Sequence, residues 1–541
     1  MGSYADVVAA VLREAGIEYI FGNPGSLSSV ELIEAGRKQG IRYILSHNES
    51  AAATMGATYG VLTGRPGVVS TAVGTGSTQV VNGVANAYLE RAPLLVLTDR
   101  YSDEQFRRLR RQRVDQDRIL QPITKASFKL APGAVLTTMR RAVDIALEGR
   151  PGPVHVDLPY DVMLAEAPPE AFPGGAPVRR FQAGGSPEEP GLRAVAEAIG
   201  KAQRPLLIVG LQVNRAGAGA EAALCALAEA LGAPVFATLA AKGTFPEDHP
   251  LAMGTFRGAG GESELIGKAD LLVTVGFDAV ELFAPGHWHY SQPVVNLDAV
   301  PHLKGVFRPA VELVGELEGM LGSLAKAVSP CGGWEERDLA AYRRAREARL
   351  RPVGEGLMPA AAIRILRDRL PSDGFLTADA GSHKVLASDL WECRRPRGFL
   401  TSSGLGTMGV AIPCAIATKL LYPDKPVVSL TGDGGLLMRM GELEVATREG
   451  LPFVCLVFND GWLNSIKLKQ DSRGFSRMGS RIGEVDFSGA ARAFGFRAAR
   501  VESEGELEGA LAEAIASGEG WVIDAHINPD GYLAQRDVRP P

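Results

Sequence analysis

The sequence predicts an α/β protein built from three doubly wound domains, each with a parallel sheet. Short apolar runs alternate with longer amphipathic runs along almost the whole chain, as in parallel strands joined by crossover helices. Two segments interrupt this alternation: residues 165–190, rich in Pro, Gly, Glu and Ala, and the highly charged residues 334–351. Since 541 residues exceed what one hydrophobic core usually supports, about two to four domains are expected.

The first domain is assigned to residues 1–165. It opens with an amphipathic helix at residues 4–15, and the first strand leads into the turn Gly22-Asn23-Pro24-Gly25-Ser26. Its predicted strands lie at residues 19–21, 43–45, 67–71, 94–98 and 154–159.

The central domain is assigned to residues 186–330 and the third to residues 355–541. Strands of the central domain are predicted at residues 205–209, 234–238, 271–275 and 294–297. None is followed by a Gly-x-Gly-x-x-Gly fingerprint, which argues against a nicotinamide-binding domain. In the third domain, strands are predicted at residues 375–378, 427–431, 452–458 and 521–525, with one helix at 436–449.

Composition and charge exclude several classes of protein. The apolar content of 46% and charged content of 22% are ordinary for a globular protein. A net charge of −5 gives no reason to expect binding to nucleic acid or to an anionic membrane. No apolar run spans a bilayer, and the N-terminus lacks the basic and apolar regions of a signal peptide. The five dispersed cysteines lack metal-ligand spacing, so we expect reduced thiols in a cytoplasmic enzyme.

The most informative motif lies where two neighbouring strands of the third domain end. Residues 432–435 read Gly-Asp-Gly-Gly, and Asn459 follows the next strand, 26 positions after Asp433. A glycine-rich turn lets backbone N–H groups approach phosphate oxygens, and ligands of open parallel sheets bind beyond the carboxyl ends of the strands. Asp433, Asn459 and a backbone carbonyl near Gly461 would supply the hard oxygen ligands that Mg²⁺ prefers, leaving positions for a diphosphate and water.

Glu49 stands at a predicted strand-to-helix junction in the first domain, ahead of a helix of small residues. Carboxylates are common in the first turn of helices, where they stabilise the positive end of the dipole. Glu49 is therefore either a helix-stabilising residue or a functional acid. Its occurrence in a chain that also carries a diphosphate motif favours the functional interpretation.

These motifs resemble those of the thiamine diphosphate-dependent enzymes, in the branch of acetolactate synthase and benzoylformate decarboxylase. The resemblance covers nearly the full length of the chain. Residues 21–26 and 74–76 look like benzoylformate decarboxylase, whereas residues 121–125, 149–159, 242–250 and 275–278 look like acetolactate synthase.

The resemblance implies roles for individual residues. Glu49 would contact the aminopyrimidine ring of the cofactor and act in catalysis, and Met408 would support the bent cofactor. The implied metal ligands are Asp433, Asn459 and Gly461. The full implied cofactor-binding set is Asn23, Pro24, Glu49, Gly74, Ser382, His383, Gly406, Met408, Gly432, Asp433, Gly434, Gly435, Asn459, Gly461, Trp462 and Leu463.

The implied reaction is thiamine diphosphate- and Mg²⁺-dependent decarboxylation of a 2-oxo acid followed by carboligation, as in acetolactate synthase. The alternative is a non-oxidative 2-oxo acid decarboxylase of the benzoylformate decarboxylase type. A non-catalytic paralogue is disfavoured because Glu49, Asp433, Asn459 and Met408 are all present. Since the family forms its active sites between two chains, the resemblance also implies a homodimer or homotetramer.

Residues expected to contact the substrate depart from the family pattern. Ser70 and Phe283 stand where benzoylformate decarboxylase carries its active-site histidines. Ser26 is retained, as a catalytic residue or as a turn residue. Gln470 is either a catalytic residue that reaches the substrate or a solvated polar residue. Residues 277–281 lack the Arg-Phe-Asp-Asp-Arg sequence of the FAD-dependent synthases, so FAD is not expected.

A basic cluster in the first domain has two interpretations. Its positive charges are Arg107, Arg108, Arg110, Arg111 and Arg113. They are either a solvated surface or a funnel that attracts an anionic substrate.

Overall fold

The computed structural model describes residues 2–174, 189–258, 261–282, 288–303, 305–351 and 354–532. Its fold is α/β, with three six-stranded parallel sheets that follow one another along the chain. This arrangement confirms the predicted fold class. A short antiparallel pair, Gly2–Ser3 with Glu166–Ala167, joins the two ends of the first domain.

The strands of each sheet are given in spatial order. The N-terminal sheet runs Arg42–Leu45, Tyr19–Asn23, Gly67–Thr71, Leu94–Arg100, Pro153–Pro159 and Ser127–Lys129. The central sheet runs Ala252–Phe256, Val235–Thr238, Pro205–Val209, Leu271–Val275, Val294–Asp298 and Val311–Val314. The C-terminal sheet runs Phe399–Thr401, Phe375–Ala378, Val427–Gly432, Val454–Asn459, Trp521–His526 and Arg497–Val501.

Helices connect the strands. Those before the central sheet are Tyr4–Glu14, Ser28–Lys38, Glu49–Thr63, Thr75–Gln79, Val81–Leu89, Asp103–Arg108, Gln116–Leu120, Val135–Leu147 and Tyr160–Leu164. Those of the central part are Glu189–Gly200, Leu211–Ala216, Ala218–Leu231, Ser263–Ile266, Leu317–Ala327 and Glu336–Arg349. The remaining α-helices are Pro359–Arg369, Ser382–Leu390, Ala411–Leu421, Asp433–Arg439, Glu442–Glu449, Asn464–Ser472, Phe487–Ala493 and Glu504–Ser517, and short 3₁₀ turns cover Gln121–Ile123, Pro169–Ala171, Leu239–Ala241 and Ala279–Glu281.

The described residues divide into two compact units. The first contains the N-terminal sheet together with residues 405–424 and 438–452, and the second contains the central and C-terminal sheets. The three sheets agree with the three predicted domains in number and order. The domain bounds stay a prediction, and the bound at residue 186 and residues 533–541 lie outside the described residues.

One predicted helix is wrong. Residues 436–449 do not form a single helix, because the chain is helical over Asp433–Arg439 and again over Glu442–Glu449. The first helix begins three residues earlier than predicted, where the Asp433 carboxylate accepts a 2.7 Å hydrogen bond from the N–H of Gly434 in its first turn. Met440 and Gly441 separate the two helices.

The helix that begins at Glu49 packs directly on the N-terminal sheet through glycines. A Cβ at Gly67 would collide with the carbonyl of Gly56, and a Cβ at Gly60 would collide with the carbonyl of Pro93. Because main chain meets main chain at these points, the small residues of this helix fix its depth on the sheet. Glu49, at its first turn, is positioned by that packing.

Gly60→Ala is therefore expected to lower the free energy of unfolding by about 1–3 kcal/mol, as overpacked sites do. The matched control is Gly322→Ala, in the helix Leu317–Ala327, where a Cβ would have no neighbour within 4 Å. That control should be neutral or stabilising by up to about 1 kcal/mol, since alanine has the higher helix propensity. Urea unfolding of both variants tests this, and equal stability of the two would contradict the packing argument.

The central sheet has the strand order 3-2-1-4-5-6, and its topological switch point lies between Pro205–Val209 and Leu271–Val275. Such a crevice is where doubly wound sheets bind nucleotides. Here the fully buried Glu281 carboxylate lies in it, accepting from the N–H groups of Leu211 (3.0 Å) and Asp278 (2.8 Å) and from the Thr238 hydroxyl. The side chain of Glu281 thus occupies the place where the phosphate of a bound nucleotide would lie in such a crevice.

Burial raises the pKa of the Glu281 carboxyl to about 8, although its three donors lower it in part. Because the folded-state pKa lies above the unfolded value, this group stabilises the fold most at low pH, and that contribution is lost as the pH rises towards 8. The folded-state pKa of about 8 and the ordinary value of 4.5 set the pH range of this effect. The melting temperature should therefore fall more steeply between about pH 5 and 8 in the wild type than in Glu281→Gln. Parallel melting profiles of the two proteins would contradict this assignment.

All five cysteines are free thiols, as predicted. The spacing of the cysteines along the sequence did not predict one cluster of possible metal ligands. In it, the ligand atoms of Cys225, Glu229 and His249 lie within 4.8 Å of one another. The first two are one turn apart on the helix Ala218–Leu231, and the histidine comes from a later loop. Within the described ranges, no helix combines the length and apolar character needed to cross a bilayer.

Candidate functional site

Glu49 is the first residue of the helix Glu49–Thr63, directly after the loop that follows the strand Arg42–Leu45. The Asn48 side chain caps this helix by accepting from the N–H groups of Ser50 (2.9 Å) and Ala51 (3.2 Å). The Glu49 carboxylate is therefore not required as the cap. Its side chain is buried, and burial raises its pKa above the usual range, with partial compensation from its own N–H.

The carboxylate of Glu49 faces the turn that carries Gly74. A Cβ placed on Gly76 would lie 3.4 Å from Glu49 Oε1, so this turn passes beside the acid. Gly74 has φ +71° and caps the helix Thr75–Gln79, a conformation that favours glycine. The structure therefore places Glu49 beside the turn that carries Gly74, with Gly76 next to its carboxylate.

The turn with Asn23, Pro24 and Ser26 follows the strand Tyr19–Asn23, beside the strand that precedes Gly74. Asn23 and Pro24 are half-buried, and Ser26 is exposed. No side-chain hydrogen bond of Ser26 occurs within the described part of the chain. Its role therefore stays a prediction.

A buried acid that the sequence analysis missed lies under this turn. Asp99 is 1% exposed, accepts from the Ser29 hydroxyl at 2.8 Å, and has one carboxylate oxygen against Gly25. Burial raises its pKa to about 6. The signal in the sequence was an aspartate that follows the apolar run 94–97 near the end of the strand Leu94–Arg100.

Residues 405–424 belong to the same compact unit as Glu49. Gly406 has φ +68°, and the neighbouring Thr407 hydroxyl donates to Asn82 Oδ1 at 3.0 Å. Met408 is half-buried and lies in a bend before the helix Ala411–Leu421. Met408 lies outside that helix, because the chain turns at Gly406 and Gly409 before the helix begins.

An acid missed by the sequence analysis also supports the loop before Glu49. Glu442 is 1% exposed and accepts from the backbone N–H of His47 at 3.2 Å, while His47 Nε2 lies 2.6 Å from Glu444 Oε2. Burial raises the pKa of the Glu442 carboxyl to about 7. The helix Glu442–Glu449 thus holds the loop that leads into Glu49.

In the second unit, Asp433 and Asn459 end neighbouring strands of the C-terminal sheet. Asp433 is buried, and its Oδ2 accepts from the N–H of Gly461 at 2.8 Å, so the glycine loop closes onto the carboxylate. Gly461 has φ +73°, which favours glycine. Asn459 donates from Nδ2 to Asp524 Oδ1 at 2.9 Å, which orients its amide oxygen away from that partner.

The residues around this loop are strongly acidic. Burial raises the pKa values of Asp433 and Asp460, that of Asp460 to about 7. Repulsion from Asp524 adds to the shift of Asp433, and repulsion from Asp433 adds to that of Asp460. Lys467 is the cation that partly compensates Asp460. A divalent cation would relieve this repulsion, so the donor set fits Mg²⁺. The Gly461 carbonyl, the predicted third ligand, already accepts from Ile482 N–H at 2.8 Å and keeps a second lone pair.

His383 and Ser382 start the helix Ser382–Leu390 at the same end of the sheet. The His383 ring lies beside Gly432, 3.4 Å from the position of a Cβ there, and its Nε2 is buried without a hydrogen-bond partner. Burial lowers the pKa of His383 to about 4, so the ring is neutral at neutral pH. An unsatisfied ring nitrogen next to a glycine turn fits a bound phosphate oxygen.

Glycine is required at position 435 in the turn after Gly432. A Cβ at Gly435 would collide with the Asp379 carboxylate and the Thr431 hydroxyl, which themselves form a 2.6 Å hydrogen bond. Gly434, Gly435 and Asp433 are buried in the first turn of their helix. The structure therefore groups the predicted residues 432–435 with His383 and Ser382.

The remaining predicted residues lie after Gly461. Trp462 donates its N–H to Asp460 Oδ1 at 2.9 Å, and Leu463 donates to the Ser480 carbonyl at 2.7 Å. Both amide atoms of Gln470 are engaged within its own loop, by the Met478 carbonyl and the Ser480 hydroxyl, each at 2.8 Å. Its contact with substrate stays a prediction, and Phe283 lies outside the described residues.

Three models of the thiamine pyrophosphate enzyme family match the chain. The N-terminal TPP binding domain matches residues 3–119, the central domain residues 192–324, and the C-terminal TPP binding domain residues 379–525.

Full-length relatives agree with these matches. A probable acetolactate synthase large subunit from Methanocaldococcus jannaschii is 30% identical over 97% of this chain and 92% of its own length. The acetolactate synthase isozyme 2 large subunit of Escherichia coli K12 is 30% identical over 97% and 95%. A probable 2-ketoarginine decarboxylase from Pseudomonas aeruginosa is 32% identical over 92% and 89%. The chain therefore belongs to the thiamine pyrophosphate enzyme family.

Proposed function

We propose that this chain is a thiamine diphosphate- and Mg²⁺-dependent enzyme that decarboxylates a 2-oxo acid and joins the remaining fragment to a second carbonyl compound. The observation that carries the proposal is the buried Glu49 carboxylate, which its helix does not need as a cap and which faces the Gly74 turn. A merely structural first-turn acid would be exposed or engaged in the cap.

Residues of the C-terminal sheet would hold the diphosphate and its metal. Asp433 and Asn459, with the Gly461 carbonyl, would bind Mg²⁺, and the unsatisfied His383 Nε2, in the tautomer that carries its proton there, would donate to a phosphate oxygen. When bound, thiamine diphosphate supplies the electron sink that stabilises the negative charge left by loss of CO₂. The protein supplies position and polarity.

Glu49 would hold a proton at its carboxyl group for exchange with the aminopyrimidine ring. Its raised pKa brings the protonated form closer to neutral pH, as general acid–base catalysis requires. Burial also keeps bulk water away from the carboxylate, which preserves the proton for the cofactor. This role would belong to Glu49 in either the carboligase or the decarboxylase.

The second candidate function is simple decarboxylation with release of an aldehyde. It is favoured by the match to the probable 2-ketoarginine decarboxylase, whose identity of 32% is no lower than that of the synthases named above. The two functions differ only in what captures the carbon left after CO₂ departs. Product analysis separates them.

We further propose that FAD is not a cofactor and that the working form is a homodimer or homotetramer. The Glu281 side chain at the switch point of the central sheet supports the first statement, since it already accepts the Leu211 and Asp278 N–H groups that a dinucleotide phosphate would need there. The oligomer is implied by the family resemblance. Flavin absorbance of the purified protein and light scattering test these two points.

The function is tested with purified protein, thiamine diphosphate and Mg²⁺ on a panel of 2-oxo acids, with CO₂ release and product identity as readouts. Acetolactate or another hydroxy-keto product supports the carboligase, and a free aldehyde supports the decarboxylase. Absence of CO₂ release from every member, with cofactor bound, would overturn both. Omission of Mg²⁺ should abolish turnover, because Asp433 and Asn459 need the ion to hold the diphosphate.

A further inference from the structure

The arginine segment, defined as residues 107–113, carries more positive charges than there are nearby carboxylates to pair with them. Five of its seven residues are arginine. Arg108 pairs with Glu104 at 3.1 Å, and the guanidinium of Arg113 lies 4.5 Å from the centre of the Phe106 ring. Arg110 and Arg111 are exposed and form no ion pair within the described residues.

Nearby carboxylates are already committed to other cations. Asp103 binds Lys129 at 2.9 Å and Asp115 binds Arg118 at 3.3 Å. Phe106 is also contacted by Arg100, whose guanidinium lies 4.6 Å from its ring centre. The segment therefore keeps a local excess of positive charge, and a solvated surface patch would more often mix both signs.

The segment lies beside the proposed catalytic acid. Gln112, at φ +56°, brings its carbonyl against Gly74, where an added Cβ would collide with it. The same turn continues to Gly76, which adjoins Glu49 Oε1. A short run of contacts thus connects the exposed arginines to the carboxylate that would act in catalysis.

The position of the arginine segment in the sheet topology is a second reason to place it near a ligand. The segment follows the strand Leu94–Arg100, the fourth of the N-terminal sheet in chain order. In the C-terminal sheet the fourth strand is Val454–Asn459, which leads into Asn459 and Gly461. The two sheets share the spatial order 2-1-3-4-6-5, so the arginine segment takes the position that carries metal-site residues in the other sheet.

We propose that the substrate is a 2-oxo acid with a second anionic group, which Arg110 and Arg111 attract and bind. This inference rests on the proposed function and narrows its substrate class. The 2-oxo acid head would react beside Glu49, and the second anion would extend towards the exposed guanidinium groups. Guanidinium groups recognise carboxylates in a bidentate manner, so they provide specificity as well as attraction.

The test compares substrates that differ in charge alone. The value of kcat/KM is measured for 2-oxoglutarate and 2-oxoadipate and for the ω-amide of each, at low and high salt. The wild type should prefer the dianion by about tenfold or more at low ionic strength, within the range of electrostatic steering. The preference should shrink in about 0.5 M salt, because the contact is exposed and screened.

Variants assign the preference to the segment. Arg110→Ala combined with Arg111→Ala should lower kcat/KM for the dianions more than for the amides, which keep one carboxylate, and so remove most of the dianion preference. The control is Arg37→Ala, which deletes an exposed arginine paired with Glu34 at 2.8 Å on a different helix and should leave the preference intact.

The outcomes separate this inference from the proposed function. Turnover of pyruvate or of the amides at the same efficiency as the dianions would overturn the substrate class while leaving the 2-oxo acid function standing. A dianion preference that survives the double variant would also overturn the assignment to these arginines. No CO₂ release from any 2-oxo acid would overturn the proposed function and this inference together.

Discussion

Glu49→Gln should keep thiamine diphosphate affinity within about tenfold but lower turnover about 100-fold or more, the usual size of lost acid–base assistance. The amide keeps the size and polarity of the side chain but cannot exchange the proton. The helix start should survive, because Asn48 caps it. Single-turnover CO₂ release and a cofactor titration measure the two quantities separately.

The matched control is Glu31→Gln, which removes a first-turn acid from the helix Ser28–Lys38 in the same unit. That variant should retain wild-type turnover, since Glu31 has no predicted contact with the cofactor. Wild-type turnover in Glu49→Gln would remove Glu49 from the mechanism and leave it a helix residue. A melting curve of each variant establishes that the fold is intact.

Asp433→Ala is expected to abolish Mg²⁺-dependent retention of the cofactor. The carboxylate would be the charged ligand of the ion, and it also accepts from Gly434 and Gly461 N–H groups, which define the loop. The wild type should retain thiamine diphosphate through desalting in Mg²⁺ and release it after treatment with EDTA. Bound thiamine measured after desalting gives the readout.

The control for this experiment is Asp486→Ala, which removes a carboxylate that caps the helix Phe487–Ala493. It should cost about 1 kcal/mol of stability and leave cofactor retention unchanged. Undiminished retention in Asp433→Ala would refute the proposed metal site. Loss of retention in both variants would show that general destabilisation, and not loss of a ligand, explains the result.

The interior strands of all three sheets were predictable, whereas most edge strands were not. Strands such as Val427–Gly432 and Leu271–Val275 are covered on both faces, so they read as continuous apolar runs. Edge strands such as Arg497–Val501 and Val311–Val314 are mostly exposed or half-buried and hold one buried residue each. Short edge strands carry little apolar signal of their own, because their pairing partner decides their structure.

The site residues, like the strands, were predictable only where the local sequence pattern positions them. Glu49 and Asp433 were identifiable because each lies at the junction between a strand and the next helix and carries a charge there. Asp99 and Glu442 were missed, because their burial depends on partners distant in sequence, namely Ser29 and His47. The local sequence pattern identifies a residue whose position is set by the strand next to it. It cannot identify a residue that is buried by a segment distant in the sequence.

The shared strand order of the two outer sheets has a consequence for the history of the chain. Both run 2-1-3-4-6-5, whereas the sheet between them runs 3-2-1-4-5-6. In both outer sheets, the loop after the second strand leads to a predicted site residue, Glu49 in one and Met408 in the other. This is the connectivity that duplication of one ancestral domain would leave in the two outer sheets.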